Sequence, residues 1–249
     1  MKPHKTTIVI AVAMALSVFT SAVAAPPDSA QSYNPTIDPT NFSIEVNNPY
    51  FKLTPGTTFT YKSKGGDDPE LNKVTVTDQT KKVMGVTTRV VWDRVWLRGQ
   101  LIEETYDWYA QDKEGNVWYF GEDSTEYKNG KKVSTHGSWE GGIGGAKPGI
   151  IMLAKPGPGA PYRQEYLKGQ AEDMAQVLSV DGIVKVPYGS FKNCLKTKDW
   201  SAIETGKIEH KYYSKEVGNV VLETEEGDKK RVELVDVTMT AEKGPAQIK

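Results

Sequence analysis

A single cysteine, Cys194, stands in the 249-residue chain, so no disulfide can form within it. Stability has to come from a packed core rather than from covalent cross-links. Cys194 sits in the alternating run GSFKNCLKT and reads as a small buried hydrophobe, not as a nucleophile. Histidine is nearly as scarce: the three are His4, His136 and His210. His4 lies in the N-terminal segment described below, and two imidazoles with one thiol give little basis for a zinc site. Positive charge is not in excess. The formal net charge of −1 gives no support for nucleic acid or an anionic membrane as the main partner. Beyond the N-terminus, no stretch approaches the roughly 18 apolar residues that a spanning helix needs.

Several catalytic signatures are missing as well. HGSWEG places Ser138 directly after Gly137 and lacks the spacing of a nucleophile elbow. GGIGGAKPG resembles a phosphate loop in composition alone, because Pro148 follows Lys147 where Ser or Thr is required. DKEGNVWYFGED alternates acidic residues as a calcium loop does, but Val117 occupies the position that needs glycine.

The N-terminus carries its own signal. Lys2 and Lys5 precede the uncharged run TIVIAVAMALSVFTSAVA, and Ala22 with Ala24 make an A-x-A cleavage pattern. Residues 1–24 are predicted to be a signal peptide and the product an exported, soluble protein of the periplasm or the extracellular space. No cysteine flanks the cleavage position, so lipid attachment of the bacterial lipoprotein kind is not expected. Loss of Lys2 and Lys5 makes the mature chain more acidic.

What remains reads as strands and turns. Residues 25–47 are rich in Pro, Ser, Asn and Thr and are expected to be a flexible lead-in to one β domain over 48–238, with a tail over 239–249. Residues 57–61, 73–77, 86–96, 103–110 and 117–121 are rich in β-branched and aromatic side chains, with glycines between them. GQAEDMAQVL, 169–178, is the best candidate for a short helix. A weak repeat relates 53–122 to 160–235: Tyr61 aligns with Tyr166, Trp108-Tyr109 with Tyr212-Tyr213, and Gly115-Asn116 with Gly218-Asn219. The expected fold is all-β, a duplicated antiparallel meander forming one barrel-like or sandwich domain, with one short helix and an inserted loop over 123–159.

The aromatic stretch YDWYAQDKEGNVWYFGED could be a sugar platform or the core of a hairpin. In the second repeat Val221 and Leu222 replace Trp118 and Tyr119, an exchange that a packed interior tolerates, so the core reading is preferred. This stretch, together with GSWEGGIGGAKPGIIM, YRQEY and GQAEDMA, resembles segments shared by a group of secreted bacterial proteins that has no assigned reaction. VPYGSFKNCLKTKDW…KYYSKEVGNVV is similar to a wider pattern in exported bacterial β proteins, with Tyr188 where that pattern favours alanine. The resemblance implies secretion and a β-rich fold.

Three functional readings stay open. In the first, a barrel binds a small apolar or amphiphilic ligand beneath the 123–159 loop, with Trp139 and Met152 lining the site and Glu140 and His136 orienting the ligand. In the second, a carboxylate hydrolase acts on glycans with a pair drawn from Glu122, Asp123, Glu140, Glu172 and Asp173, held about 5 to 9.5 Å apart. A calcium ion on Glu122, Asp123 and Glu172 is a weaker possibility, and no cofactor is expected. The third is a module that binds another envelope protein through a sheet edge or an apolar patch.

Overall fold

The structure, a computed structural model, describes residues 33–65 and 69–239. The signal peptide reading, 1–24, and residues 240–249 lie outside the described residues. The strands in chain order are β1 (Phe42–Ser43), β2 (Val46–Asn48), β3 (Phe51–Leu53), β4 (Thr57–Lys64), β5 (Glu70–Val83) and β6 (Val86–Leu97). Next come β7 (Gln100–Asp112), β8 (Val117–Lys128), β9 (Lys131–Ser134), β10 (Trp139–Glu140), β11 (Lys147–Met152) and β12 (Tyr162–Arg163). The rest are β13 (Glu165–Tyr166), β14 (Asp173–Val186), β15 (Gly189–Ser201), β16 (Glu209–Ser214), β17 (Asn219–Glu225) and β18 (Arg231–Met239).

Tight turns fix the register of the first meander. At Met84-Gly85, Arg98-Gly99 and Asn129-Gly130 both central residues have positive φ, the two-residue hairpin geometry whose twist matches that of the flanking strands. Val83 therefore pairs Val86, Leu97 pairs Gln100, and Lys128 pairs Lys131. Strands β4 to β8 run antiparallel in sequence order, β14 to β18 do the same, and β18 pairs β4 to join them.

The sheet then curls round until its ends nearly meet, in a nearly closed, barrel-like arrangement. The seam is the segment carrying β12 and β13: β12 pairs β14 at one end of the sheet, and β13 pairs β11 at the other. Gly149 permits this, because a β-carbon there would run into the backbone of Gln164. The β2–β3 hairpin covers one end of the barrel. Lys52 N–H donates to Gly218 O at 2.7 Å, and the Asn48 side chain donates to Gly115 O and Leu153 O at 3.0 Å each. Val46, Tyr50 and Leu53 are buried there with the inward residues of the strands. A second, smaller core lies outside the wall, where Val90, Trp108 and Phe120 are covered by Ile37 and Phe42.

Three expectations are corrected here. The lead-in expected to be flexible over 25–47 is in place from Tyr33 on: Phe42 meets Trp118 and Phe120 edge-on, and β1 pairs β7. The short helix at 169–178 is absent, and no α-helix occurs among the described residues. A turn at Leu167 to Ala171 leads into β14, where Ala175 and Val177 are buried at strand spacing. Pairing with β15 overrides the helix propensity of Ala, Glu, Met and Gln. The inserted loop 123–159 is largely wall: it holds the end of β8, then β9, β10 and β11. Cys194 is a free, buried thiol, as its alternating context suggests.

Candidate functional site: an acidic cavity in the barrel

Successive side chains of a strand face opposite sides of the sheet. On β7 this puts Glu103, Thr105, Asp107 and Tyr109 in one row on the barrel interior. Each aligned strand adds inward residues: Asp93 and Val95 from β6, Asp199 and Ser201 from β15, Lys211 from β16, Glu223 from β17, and Tyr119 and Glu122 from β8, where a β-bulge between Tyr119 and Gly121 turns both inward. Together with Gln164, Glu165 and Asp173 at the seam they line a cavity of about 300 Å³. Its floor is the stacked pair Tyr109 and Tyr119, with centroids 4.9 Å apart, and Phe51 of the covering hairpin packs on Tyr109 from the other side.

Ten carboxylates line this cavity against two lysines, Lys207 and Lys211. Burial disfavours the charged form of a carboxyl, and like neighbours add to that effect. Burial, reinforced by Asp93, pushes Glu103 up to about 8 and Asp107 up to about 7. The Tyr119 hydroxyl opposes the rise at Asp107, donating to Oδ1 at 2.6 Å. Burial and the neighbouring Glu165 and Asp107 carry Glu122 well above the ordinary range. Glu165 is raised by burial and then by Asp173, with the Trp139 indole beside it offsetting part of the shift. Asp107 and Glu122 are cross-strand partners, which places their β-carbons about 4.5 to 5.5 Å apart. Like charges that close disfavour both acids being ionised at once.

The opposite wall is partly neutralised. Burial would lower Lys211, but Asp199, Glu223 and Glu209 outweigh it and hold the ammonium charged. Its Nζ lies 3.7 Å from Asp199, 3.9 Å from Glu223 and 4.0 Å from Glu209. Asp199 is 5% exposed; its Oδ2 receives the Thr197 hydroxyl, whereas its Oδ1 is buried without a hydrogen-bond partner among the described residues.

Of the residues singled out in the sequence, Glu122 and Asp173 line the cavity. Asp123 pairs Tyr106 on the outer face, and Glu140 faces outward to an ion pair with Lys81 at 2.9 Å. Glu172 accepts the Gly169 N–H at 2.7 Å, and His136 is exposed. Trp139 is buried edge-on against Tyr119, and Met152 is fully buried in the core. Of the hydrolase candidates, Glu122 and Asp173 share the cavity while Asp123, Glu140 and Glu172 do not line it, and the calcium set Glu122, Asp123 and Glu172 does not assemble. Among the described residues no three His, Cys, Asp or Glu side chains converge as metal ligands. Nor does the 123–159 segment form a lid. Asp93, Glu103, Asp107, Glu165, Asp199 and Glu223 were missed, although EETYDWY spaces two acids in phase with the buried Tyr109.

No family model matches the chain, and no curated protein matches it. One solved structure, described as a "putative lipoprotein" from Parabacteroides distasonis, aligns with a TM-score of 0.38 and 11% identity. The alignment covers 76% of this chain and 98% of that one. Among the described residues no helix is long and apolar enough to cross a membrane.

Proposed function

We propose that the protein is a barrel-type binding protein whose interior holds a small, positively charged ligand. The observation that carries this reading is the cavity lining: ten carboxylates face about 300 Å³ of space, with two lysines to balance them. Buried acids at this density are costly when charged, and a bound cation relieves that cost by supplying the opposite charge. The polar lining favours a cationic ligand over the apolar one suggested by the sequence. Export by the N-terminal signal belongs to the same proposal, since Lys2, Lys5 and the A-x-A pattern support it.

The test is a thermal-melting screen of the mature chain at pH 8 against organic amines and inorganic cations. At least one cation is expected to raise the Tm, and Asp107→Asn with Glu122→Gln should remove the rise. A Tm unmoved by every cation at millimolar concentration would contradict the reading.

The cross-strand Asp107–Glu122 pair favours a second reading, a carboxylate hydrolase, because one acid can stay protonated while its partner is ionised. A bell-shaped pH–rate profile on glycan substrates, lost in Glu122→Gln, would support it. Absence of turnover would remove it.

A further inference from the structure

Resting on the cation-binding reading, we propose that the ligand is an elongated organic diamine, one ammonium seated at Asp107 and Glu122 and the other at the free oxygen of Asp199. Asp107 and Lys211 occupy matching places in the barrel. Each lies two residues before an inward tyrosine, Tyr109 or Tyr213, and each pairs across its hairpin with a glutamate, Glu122 or Glu223. At Lys211–Glu223 the chain supplies its own primary ammonium to the surrounding acids. At Asp107–Glu122 the same geometry carries two acids, and both cavity lysines come from the other wall. That position is an ammonium site lacking the chain's own ammonium.

The second seat rests on a separate observation. Asp199 is nine-tenths buried and lines the cavity, and its Oδ1 is unpartnered although Lys211 and Thr197 serve Oδ2. An orphaned buried carboxylate oxygen costs free energy unless a donor reaches it. In the sheet order, the strands bearing Asp107 and Glu122 are separated from the strand bearing Asp199 by β16, β17, β18, β4, β5 and β6 on one side, and by β11, the seam and β14 on the other. The two seats are therefore on opposite walls, where a single ion cannot serve both. The cavity also presents Tyr109, Tyr119, Ile151 and Val232, apolar surface suited to a methylene chain.

Calorimetric titration at pH 8 and low salt tests this, using 1,3-diaminopropane through 1,8-diaminooctane, n-butylamine and calcium chloride. One diamine length is expected to bind best, at least tenfold tighter than n-butylamine. Asp199→Asn should bring that diamine to the level of the monoamine while leaving the monoamine nearly unchanged. Asp107→Lys, which gives Glu122 the ammonium that Lys211 gives Glu223, should keep the fold and abolish amine binding. Equal affinity for monoamine and diamine, or calcium binding tighter than every diamine, would overturn the diamine proposal and leave the cation reading standing. No binding of any of these cations would overturn both.

Discussion

At the residue scale, the acids inside the barrel should give the protein an inverted pH dependence. Asp107 rises from its ordinary 3.8 to about 7 and Glu103 from 4.5 to about 8, first through burial and then through Asp93. Between the unfolded and folded values the folded chain holds more protons than the unfolded one. Stability therefore falls as pH climbs through that window, from about 4 to about 8. Glu209 works the other way: burial would raise it, but Lys211 and Lys207 hold it below its usual value. One lowered acid does not cancel the raised ones. Asp107→Asn should raise the Tm at pH 8 by about 2 to 4 °C, the shift that ~1 kcal/mol gives a chain of this size, and change it little at pH 4. Differential scanning calorimetry at both values checks this, and a lower Tm at pH 8 would count against a costly carboxylate. Glu70 and Lys230 form a buried ion pair. Lys230 Nζ donates to Glu70 Oε1 at 2.8 Å, with the two residues 9% and 5% exposed. Lys230→Met should cost about 3 to 5 kcal/mol in urea unfolding by stranding a buried charge, and adding Glu70→Gln should recover much of it.

At the scale of elements, strands and turns were legible because their physics is local. The inward placement of every second residue from Glu103 to Tyr109 on β7 and the turns at Gly85 and Gly99 follow from period-2 patterning and from glycine's access to positive φ. The site was far less legible, and strand geometry explains why. The sequence reading favoured neighbours in the chain, Trp139-Glu140 and Glu122-Asp123, but neighbours on a strand face opposite ways. Trp139 and Glu122 point in and are cross-strand partners, while Glu140 and Asp123 point out. The cavity acids run from Asp93 to Glu223, and only barrel closure brings them together. Closure in turn depends on the seam, where Gly149 lets Gln164 pass. Gly149→Val should force β11 and β13 apart. Hydrogen exchange is expected to speed up at Lys147 and Pro148's partners, Tyr166 and Glu165, with a lower Tm; unchanged protection there would show that the seam does not need the close approach.

At the scale of the whole molecule, the barrel's two ends and two walls differ. The β2–β3 hairpin covers one end, and Tyr109 and Tyr119 separate it from the cavity. Within the cavity, Lys207 and Lys211 answer the acids of one wall, whereas Asp93, Glu103, Asp107 and Glu122 face in from the other without a lysine of their own. That asymmetry is the basis for assigning the interior to a cation. The most direct measurement is titration of 1,4-diaminobutane into the mature chain at pH 7.5, in two buffers of different ionisation enthalpy, with n-butylamine and calcium in parallel. One saturable site is expected, with heats that differ between buffers because a bound cation displaces protons from the raised carboxyls. No saturable binding of the diamine, the monoamine or calcium would contradict a cation-binding barrel.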